Sequence, residues 1–207
     1  FALLALTVLL CGFDSQEQKV YDDAGLLSEE ERGELQEMLV AAAYDTKQDL
    51  VIVTTADSGG KSAREYADDF YDEHGFGYEG EYGSGALFLI DMDNREYYIS
   101  TAGSAIGLYS DDEIDDTLDA LYDDMRDGNY GEACRDFVLE ARAAVLGDAE
   151  LKDSYFDREE GRFVTVPEWK KNLSPSHLLA YFATALVISA VVVWIAARKR
   201  KTRMTVT

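Results

Sequence analysis

Residues 178–197 form a run of twenty residues without a charged side chain, followed directly by Arg198, Lys199, Arg200 and Lys201. A helix needs roughly 20 apolar residues to cross a bilayer core about 30 Å thick. Aromatic rings near the ends of the run are typical of the headgroup layer, and basic flanks stay on the cytoplasmic side. We therefore expect a single-pass cell-membrane protein with one transmembrane helix over 178–197, a basic cytoplasmic tail over 198–207 and the N-terminal part outside the cell.

The first residues resemble the end of a secretory signal. Residues 1–12 are apolar and finish in small residues before a polar segment that begins at Asp14. This pattern predicts that residues 1–13 are the remnant of a signal peptide whose basic region lies upstream. Cys11 raises the alternative of a lipoprotein anchor, but Leu10 stands where a lipobox has a small residue, so lipidation of Cys11 is left open.

The acidic balance of the chain limits its partners. The net charge is −22, with 41 Asp and Glu against 19 Lys and Arg. Five of the basic residues follow the apolar run and all of the acidic ones precede it, so the part before the run carries a net charge of −27. Such a surface repels phosphate backbones, which excludes nucleic acid, and attracts divalent cations and basic proteins. The 13 Tyr and 9 Phe nevertheless predict a packed core.

Four helices are predicted between residues 20 and 146. Three of them begin with Ser-x-x-Glu, in which the Ser hydroxyl and the Glu carboxylate satisfy each other's backbone N–H groups. A fourth is predicted over about 132–146 from its apolar spacing. Glycines that can adopt a left-handed conformation follow three of the helices. The capping pairs are Ser28–Glu31, Ser62–Glu65 and Ser110–Glu113, and the glycines are Gly75, Gly128 and Gly147.

Strands are predicted between these helices. Residues 50–54 and 86–90 are short apolar runs of the kind that is buried on both faces of a sheet. A turn over 92–95 returns the chain as a third strand, 97–101. Two strands joined by a helix form a right-handed βαβ crossover. We therefore predict an α/β domain over 14–147, a three-layer α/β/α sandwich with a small mixed sheet made of the crossover and the hairpin.

Residues 148–177 have mixed charges, two prolines and no sustained period, so they are predicted to be a juxtamembrane tether. Within it, residues 163–166 (FVTV) are expected to add an edge strand.

Arrangements for nucleophilic catalysis are not found in the sequence. Asp91-Met92-Asp93 after an apolar strand resembles the motif of haloacid-dehalogenase-like phosphatases, but Arg95 departs from that motif and the next element is a strand. A hairpin turn built from Asp and Asn is the favoured interpretation. The chain has two histidines, no Walker loop and no dinucleotide fingerprint, so no organic cofactor is expected. Cys134 is predicted to be a buried structural thiol.

Carboxylates at the ends of strands and the starts of helices form a candidate metal site. If the loops converge, their oxygens would suit Ca²⁺, or alternatively Mg²⁺. For the two at the start of the third helix, favourable interaction with the helix dipole is an equal alternative. The candidate ligands are Asp22, Asp23, Asp57, Asp111 and Asp112.

Residues 20–28 (VYDDAGLLS) resemble the opening motif of TPM domains. The resemblance continues in order over nearly the whole of residues 20–146. Its further segments are 50–54, 60–67 (GKSAREYA), 76–77, 85–90, Asn94-Arg95, Ser110-Asp111 and 127–130 (DGNY).

The resemblance implies a three-layer α/β/α domain that is secreted or faces a lumen, often tethered by one membrane helix. Members of the family include a thylakoid-lumen protein credited with acid phosphatase activity, photosystem repair factors and a receptor-associated membrane protein, and some bind calcium at an acidic cluster. This chain has residues 83–85 (GSG) where the family often has Asp-Asn-Gly, and residues 103–107 lack an acid that many members carry. Both differences remove ligands or catalytic groups and weaken the phosphatase inference.

The sequence therefore favours a membrane-anchored, cation-binding interaction or assembly module with a protein partner. The alternative is a metal-dependent acid phosphatase acting on extracellular phosphoesters, an enzyme activity that only the resemblance implies.

Overall fold

The computed structural model describes residues 17–78, 80, 83–166, 182–184, 186–191 and 194. The chain divides into two compact units, Phe1–Thr165 and Val166–Thr207.

A mixed sheet of four strands forms the centre of the first unit, in the order β1-β2-β3-β4. Strands β1, β2 and β3 are parallel, and β4 is antiparallel to β3. All seven residues of β2 and all seven of β3 are buried, as their continuous apolar sequences predict. Strand β1 was not predicted, because three residues are too few to show a period. The strands are Val20–Asp22 (β1), Asp49–Thr55 (β2), Gly85–Asp91 (β3) and Glu96–Ala102 (β4).

Five helices among the described residues accompany the sheet. The three predicted capping boxes are present with both of their hydrogen bonds. The predicted glycines end α2, α4 and α5 in the left-handed conformation, at φ of 64°, 80° and 65°. The helices are Glu29–Thr46 (α1), Ala63–His74 (α2), Ala105–Leu108 (α3), Asp111–Asp127 (α4) and Tyr130–Leu146 (α5).

Helices cover both faces of the sheet because the central strands are apolar on both faces. Leu50 and Ile52 of β2 pack in one core with residues of α1, α4 and α5. Val51 and Val53, on the other face, pack in a second core with α2. The predicted α/β fold with a mixed sheet is therefore confirmed.

The first part of the predicted tether is folded. A 3₁₀ turn, Ala149–Asp153, leads into a hairpin of Ser154–Asp157 (β5) and Arg162–Thr165 (β6). The guanidinium of Arg142 lies 4.4 Å above the ring of Phe163, and Arg158 bonds to Glu37 of α1 at 2.9 Å. Strand β6 thus belongs to a separate two-stranded sheet and is not an edge of the main one.

In the second unit, residues 182–184, 186–191 and 194 are helical, with Phe182, Leu186 and Trp194 exposed. No helix among the described residues is both long and apolar enough to cross a membrane. Of the predicted span over 178–197, the structure describes only these residues. The predicted signal remnant, the tether beyond residue 166 and the cytoplasmic tail lie outside the described residues.

One acidic side chain between α4 and α5 is half-buried. Asp136 of α5 faces other carboxylates, those of Asp124, Glu132 and Glu140. Burial raises the pKa of Asp136, the neighbouring negative charges raise it further, and the resulting pKa is about 6. The packing of these two helices is therefore opposed by a charge at neutral pH.

We expect Asp136→Asn to stabilise the domain at pH 7.5 and to have little effect at pH 4. The carboxyl of Asp136 ionises near pH 3.9 in the unfolded chain and near pH 6 in the folded domain, so its protonation stabilises the folded domain. This stabilisation is complete below about pH 4 and is lost as pH rises through 6. After allowance for solvent screening, the gain at pH 7.5 is roughly 1 kcal/mol in the free energy of unfolding, measured by urea denaturation. The exposed Asp119→Asn serves as the control, and an equal gain at both pH values would contradict the assignment.

Candidate functional site

The parallel strands end at one edge of the sheet, which we call the carboxyl edge. Asp22 is the last residue of β1, Thr55 of β2 and Asp91 of β3. The loops that follow these strands leave the sheet at this edge, where open α/β sheets commonly bind ligands. The opposite edge, where Gly85 begins β3 and pairs with Ala102 at the end of β4, is the amino edge.

Asp22 is a structural carboxylate. Its side chain is 0% exposed, and its Oδ1 accepts hydrogen bonds from Thr54 Oγ1 at 2.6 Å and from the Leu26 N–H at 2.9 Å. Its Oδ2 accepts from the Leu27 N–H at 3.0 Å and lies 3.4 Å from Arg32 Nη1. Burial raises the pKa of Asp22, but these hydrogen bonds outweigh burial and hold the pKa below its usual value. Both oxygens thus fasten the loop between β1 and α1 to β2.

Two other predicted ligands lie at the same edge and are exposed. Asp23 follows Asp22 in the β1–α1 loop. Asp57 lies in the β2–α2 loop, where its Oδ1 accepts a hydrogen bond from the Gly59 N–H at 2.9 Å. Its Oδ2 has no hydrogen-bond partner among the described residues.

The turn between β3 and β4 is held together by its own polar side chains. Asp91 is 1% exposed, and its Oδ1 accepts from the N–H groups of Asp93 and Asn94 at 3.0 and 3.1 Å. Asn94 Nδ2 donates to Asp91 Oδ2 at 2.8 Å. The predicted hairpin turn is therefore confirmed, and both oxygens of Asp91 are used within it.

The same turn is joined to the β2–α2 loop. Asp93 Oδ2 accepts hydrogen bonds from Ser58 Oγ at 2.8 Å and from the Ser58 N–H at 3.2 Å. Asn94 Nδ2 also donates to the Lys61 carbonyl at 2.9 Å. We call this arrangement the Ser58–Asp93 cross-link. It places Asp93 next to the residue that follows Asp57, and Asp93 Oδ1 has no partner among the residues that the structure describes.

Asp111 and Asp112 do not join this group. They open α4, where they are exposed, and Asp111 lines a groove with Ala102 and Gly103 at the amino edge. The five predicted ligands are therefore divided between opposite edges of the sheet. Within the described part of the chain, no group of three or more His, Cys, Asp or Glu side chains is arranged to hold a metal ion.

Sequence reasoning did not identify the Ser58–Asp93 cross-link. The Asp-x-Asp-Asn sequence over 91–94 indicated a turn, but the partner Ser58 lies 35 residues before Asp93. A single sequence carries no signal for that pairing beyond the expectation that both loops leave the sheet at the same edge.

The histidine and the cysteine that the structure describes are occupied or buried. The ring of His74 stacks on Phe70 with centroids 4.0 Å apart, and its Nδ1 lies 2.9 Å from the Phe70 carbonyl. Cys134 is 0% exposed, and burial raises the pKa of its thiol far above the usual value. The prediction of a buried structural thiol is confirmed.

We expect Asp22→Asn to destabilise the domain by about 2–3 kcal/mol, because the amide group would leave one of the two N–H donors of Leu26 and Leu27 without an acceptor. The neighbouring Asp23→Asn should change stability by less than about 0.5 kcal/mol, since Asp23 is exposed. Urea denaturation at pH 7 measures both. Because the pKa of Asp22 is lowered, the difference should shrink as pH falls below about 4. Equal effects of the two variants would contradict a structural role for Asp22.

The fold resembles two solved structures at low sequence identity. One is the N-terminal domain of a protein from P. gingivalis, with a TM-score of 0.53 and 19% identity, covering 65% of this chain and 85% of that one. The other is the BA42 protein from Bizionia argentinensis, with a TM-score of 0.52 and 18% identity, covering 58% of this chain and 82% of that one. These likenesses concern the fold alone.

Sequence comparison identifies the family. The UPF0603 protein YdjH of Bacillus subtilis (strain 168) is 31% identical over 122 residues, which are 59% of this chain and 46% of that protein. The match thus spans less than half of the relative's length. A sequence model of the TPM domain matches residues 20–144. Since the match covers more than half of the chain, and the resemblance seen in its motifs is thereby confirmed, the protein belongs to the TPM-domain family.

Proposed function

We propose that this protein is a membrane-anchored interaction module outside the cytoplasm, which binds a divalent cation at the carboxyl edge of its sheet. The observation that carries the cation site is the pair of unpartnered oxygens, Asp57 Oδ2 and Asp93 Oδ1, on two loops joined through Ser58. Of the five carboxylates expected from sequence, the proposed site keeps Asp57, with exposed Asp23 on the neighbouring loop of the same edge, and adds Asp93, which was not among them.

The chemistry of the pair favours a hard cation. Carboxylate oxygens are the ligands that Ca²⁺ and Mg²⁺ prefer, and waters complete the shell when the protein supplies few of them. Ca²⁺ tolerates irregular geometry, whereas Mg²⁺ needs a near-ideal octahedron. Two loops held by side-chain hydrogen bonds therefore suit Ca²⁺ better. The cross-link supports the site because it fixes Asp93 before any ion arrives.

A binding role is supported over a catalytic one by the state of the reactive groups. His74 and Cys134 are engaged or buried, and Asp91 uses both oxygens within its own turn. A serine or cysteine with a histidine base in hydrogen-bond reach, an arrangement used in covalent catalysis, is not found among the described residues, and Ser58, whose hydroxyl bonds to Asp93, is only 1% exposed.

Membrane anchoring rests on the uncharged run over 178–197 and the four cations after it. The described residues of this run are helical, with exposed apolar side chains at Phe182, Leu186 and Val191. Exposed apolar surface on a helix marks contact with a partner or with lipid. The basic flank supports a location of the TPM domain on the non-cytoplasmic side, because positively charged flanks stay in the cytoplasm.

We expect millimolar Ca²⁺ to raise the thermal midpoint by several degrees, and by more than Mg²⁺ at equal ionic strength. An ion at 100 times its dissociation constant stabilises by about 2.7 kcal/mol. Asp57→Asn combined with Asp93→Asn should abolish the Ca²⁺ shift, while Asp111→Asn combined with Asp112→Asn, at the amino edge, should leave it intact. Both pairs remove the same charge, so an equal loss would mean that the ion acts by screening and would overturn the site.

The alternative function is a metal-dependent phosphatase at the same edge. It is favoured by Arg95, an exposed guanidinium that directly follows Asn94 and has no ion pair among the described residues. A cation held by Asp57 and Asp93 would polarise a phosphoryl oxygen and activate water. Turnover of p-nitrophenyl phosphate that is lost with a chelator and with the Asp57/Asp93 variant would establish this enzyme. Turnover that survives both would indicate a contaminant.

A further inference from the structure

Strand β4 is an open edge of the main sheet. It is the last strand in the order and pairs only with β3 among the described strands. Alternate residues of an antiparallel strand direct their N–H and C=O groups away from the partner. No hydrogen bond within the described part of the chain uses these outward groups of β4.

Strand β4 carries no Lys, Pro or bulge, and its one charged residue, Glu96, lies at its first position. Proteins usually place Lys, Pro or a bulge on such a strand. The sequence of β4 is EYYISTA, and its seven residues pair with β3 in continuous register, without a bulge. The outward backbone donors and acceptors of β4 thus form a regular row, which is more exposed at the two ends of the strand than at its centre, where Ile99 and Ser100 are buried.

A groove of about 610 Å³ runs along this edge and has different walls on its two sides. On one side, Asp68 and Asp72 of α2 line the groove, and Asp68 accepts a hydrogen bond from Ser100 of β4 at 2.5 Å. On the other side, Ile106 of α3 and Ile114 of α4 form an apolar wall beside Asp111, the first residue of α4, and Ile106 is 63% exposed.

The charge of the groove is negative. Besides Asp68 and Asp72, Asp111 lines it, and the only cation among its lining residues is Arg64, which lies 3.6 Å from Asp68. The carboxylates of Asp72 and Asp111 have no ion pair among the described residues. The groove thus combines unpartnered backbone groups, an apolar wall and free negative charge.

We propose that the β4 edge is a docking site for an extended, basic segment of a partner protein, which adds to the sheet as a fifth strand. Side chains of an added strand alternate between the two faces of the sheet. Those on the α2 face would meet Asp68 and Asp72, and those on the other face would meet Ile106 and Ile114. The segment recognised therefore alternates Lys or Arg with apolar residues.

The length of β4 sets the length of the partner segment. Seven residues span about 23 Å at about 3.3 Å each, so a segment of similar length saturates the edge. A second copy of this chain fits poorly, because pairing two β4 strands would bring two acidic grooves together. This inference deepens the interaction part of the proposed function and rests on it, but it does not use the cation site.

The test uses the full chain in a non-ionic detergent and a short fluorescein-labelled peptide in which lysine alternates with valine. Binding is followed by fluorescence anisotropy at about 150 mM salt, where distant charges are largely screened. Two control peptides have the same composition. In one the lysines are contiguous, and in the other backbone N-methylation on alternate residues removes the donors that would face β4. We expect both controls to bind at least about tenfold more weakly, and equal binding would overturn strand addition.

Matched protein variants distinguish binding at the β4 edge from general attraction of the basic peptide to the acidic surface. Asp72→Asn with Asp111→Asn should weaken binding about five- to tenfold, whereas Glu29→Gln with Glu30→Gln, at the start of α1, should change it by less than about twofold. Ile106→Asp adds a negative charge but removes the apolar wall. Strand docking predicts weaker binding to this variant, and charge attraction alone predicts tighter binding.

The outcomes also separate this inference from the cation site. If the peptide does not bind while the Ca²⁺ shift persists, the β4 proposal alone is overturned. The same result is expected if a second copy or another segment of this chain occupies the edge, and it overturns the proposal in that case too. Peptide binding without any Ca²⁺ shift would support the β4 proposal and overturn the cation site.

Discussion

The structure depends on the burial of β2 and β3 on both faces. Seven consecutive positions in each of these strands are buried, with the aliphatic and aromatic side chains of Leu50, Val51, Leu87 and Phe88 at 0% exposure. A sheet that is apolar on both faces must be covered on both, which is why α2 packs against one side and α1, α4 and α5 against the other. Most charged side chains consequently lie at the edges of the sheet and on the outer surfaces of the helices, although a few polar residues, such as Thr46 of α1 and Thr117 of α4, are buried.

The carboxylates of this acidic chain have different physical roles. Asp22 is buried and fully hydrogen-bonded, Asp91 organises a turn, and the three capping glutamates each accept a hydrogen bond from a serine N–H. These groups stabilise the fold and have little capacity left for a ligand. Asp57 and Asp93 each retain a free oxygen on joined loops, and Asp72 and Asp111 face an open groove. Function is therefore best sought among carboxylates whose hydrogen-bonding capacity is unfilled.

Local signals made most of the fold predictable from sequence, and non-local contacts limited the prediction of the site. Ser28, Ser62 and Ser110 carry their partners three residues away, so the helix starts were predicted correctly. The hairpin of β5 and β6 was missed as a unit because its stability comes from contacts such as that of Phe163 with Arg142 of α5. Asp111 was grouped with Asp22 because both lie at the start of a predicted helix, but the antiparallel direction of β4 carries the chain back to the amino edge before α4 begins. The direction of one strand thus decided which carboxylates could meet.

The three capping boxes have a consequence for how the chain folds. Each is complete within four residues, so it can favour helix initiation in the unfolded ensemble before any tertiary contact exists. The parallel pairing of β1 with β2 and of β2 with β3 instead joins segments about 30 residues apart and must close long loops. The first two boxes begin α1 and α2, the helices that lie within those loops, so a transient helix there would shorten the effective length of the loop to be closed. We therefore expect the Ser-x-x-Glu sequences at Ser28 and Ser62 to affect the rate of folding as well as the stability of the folded state.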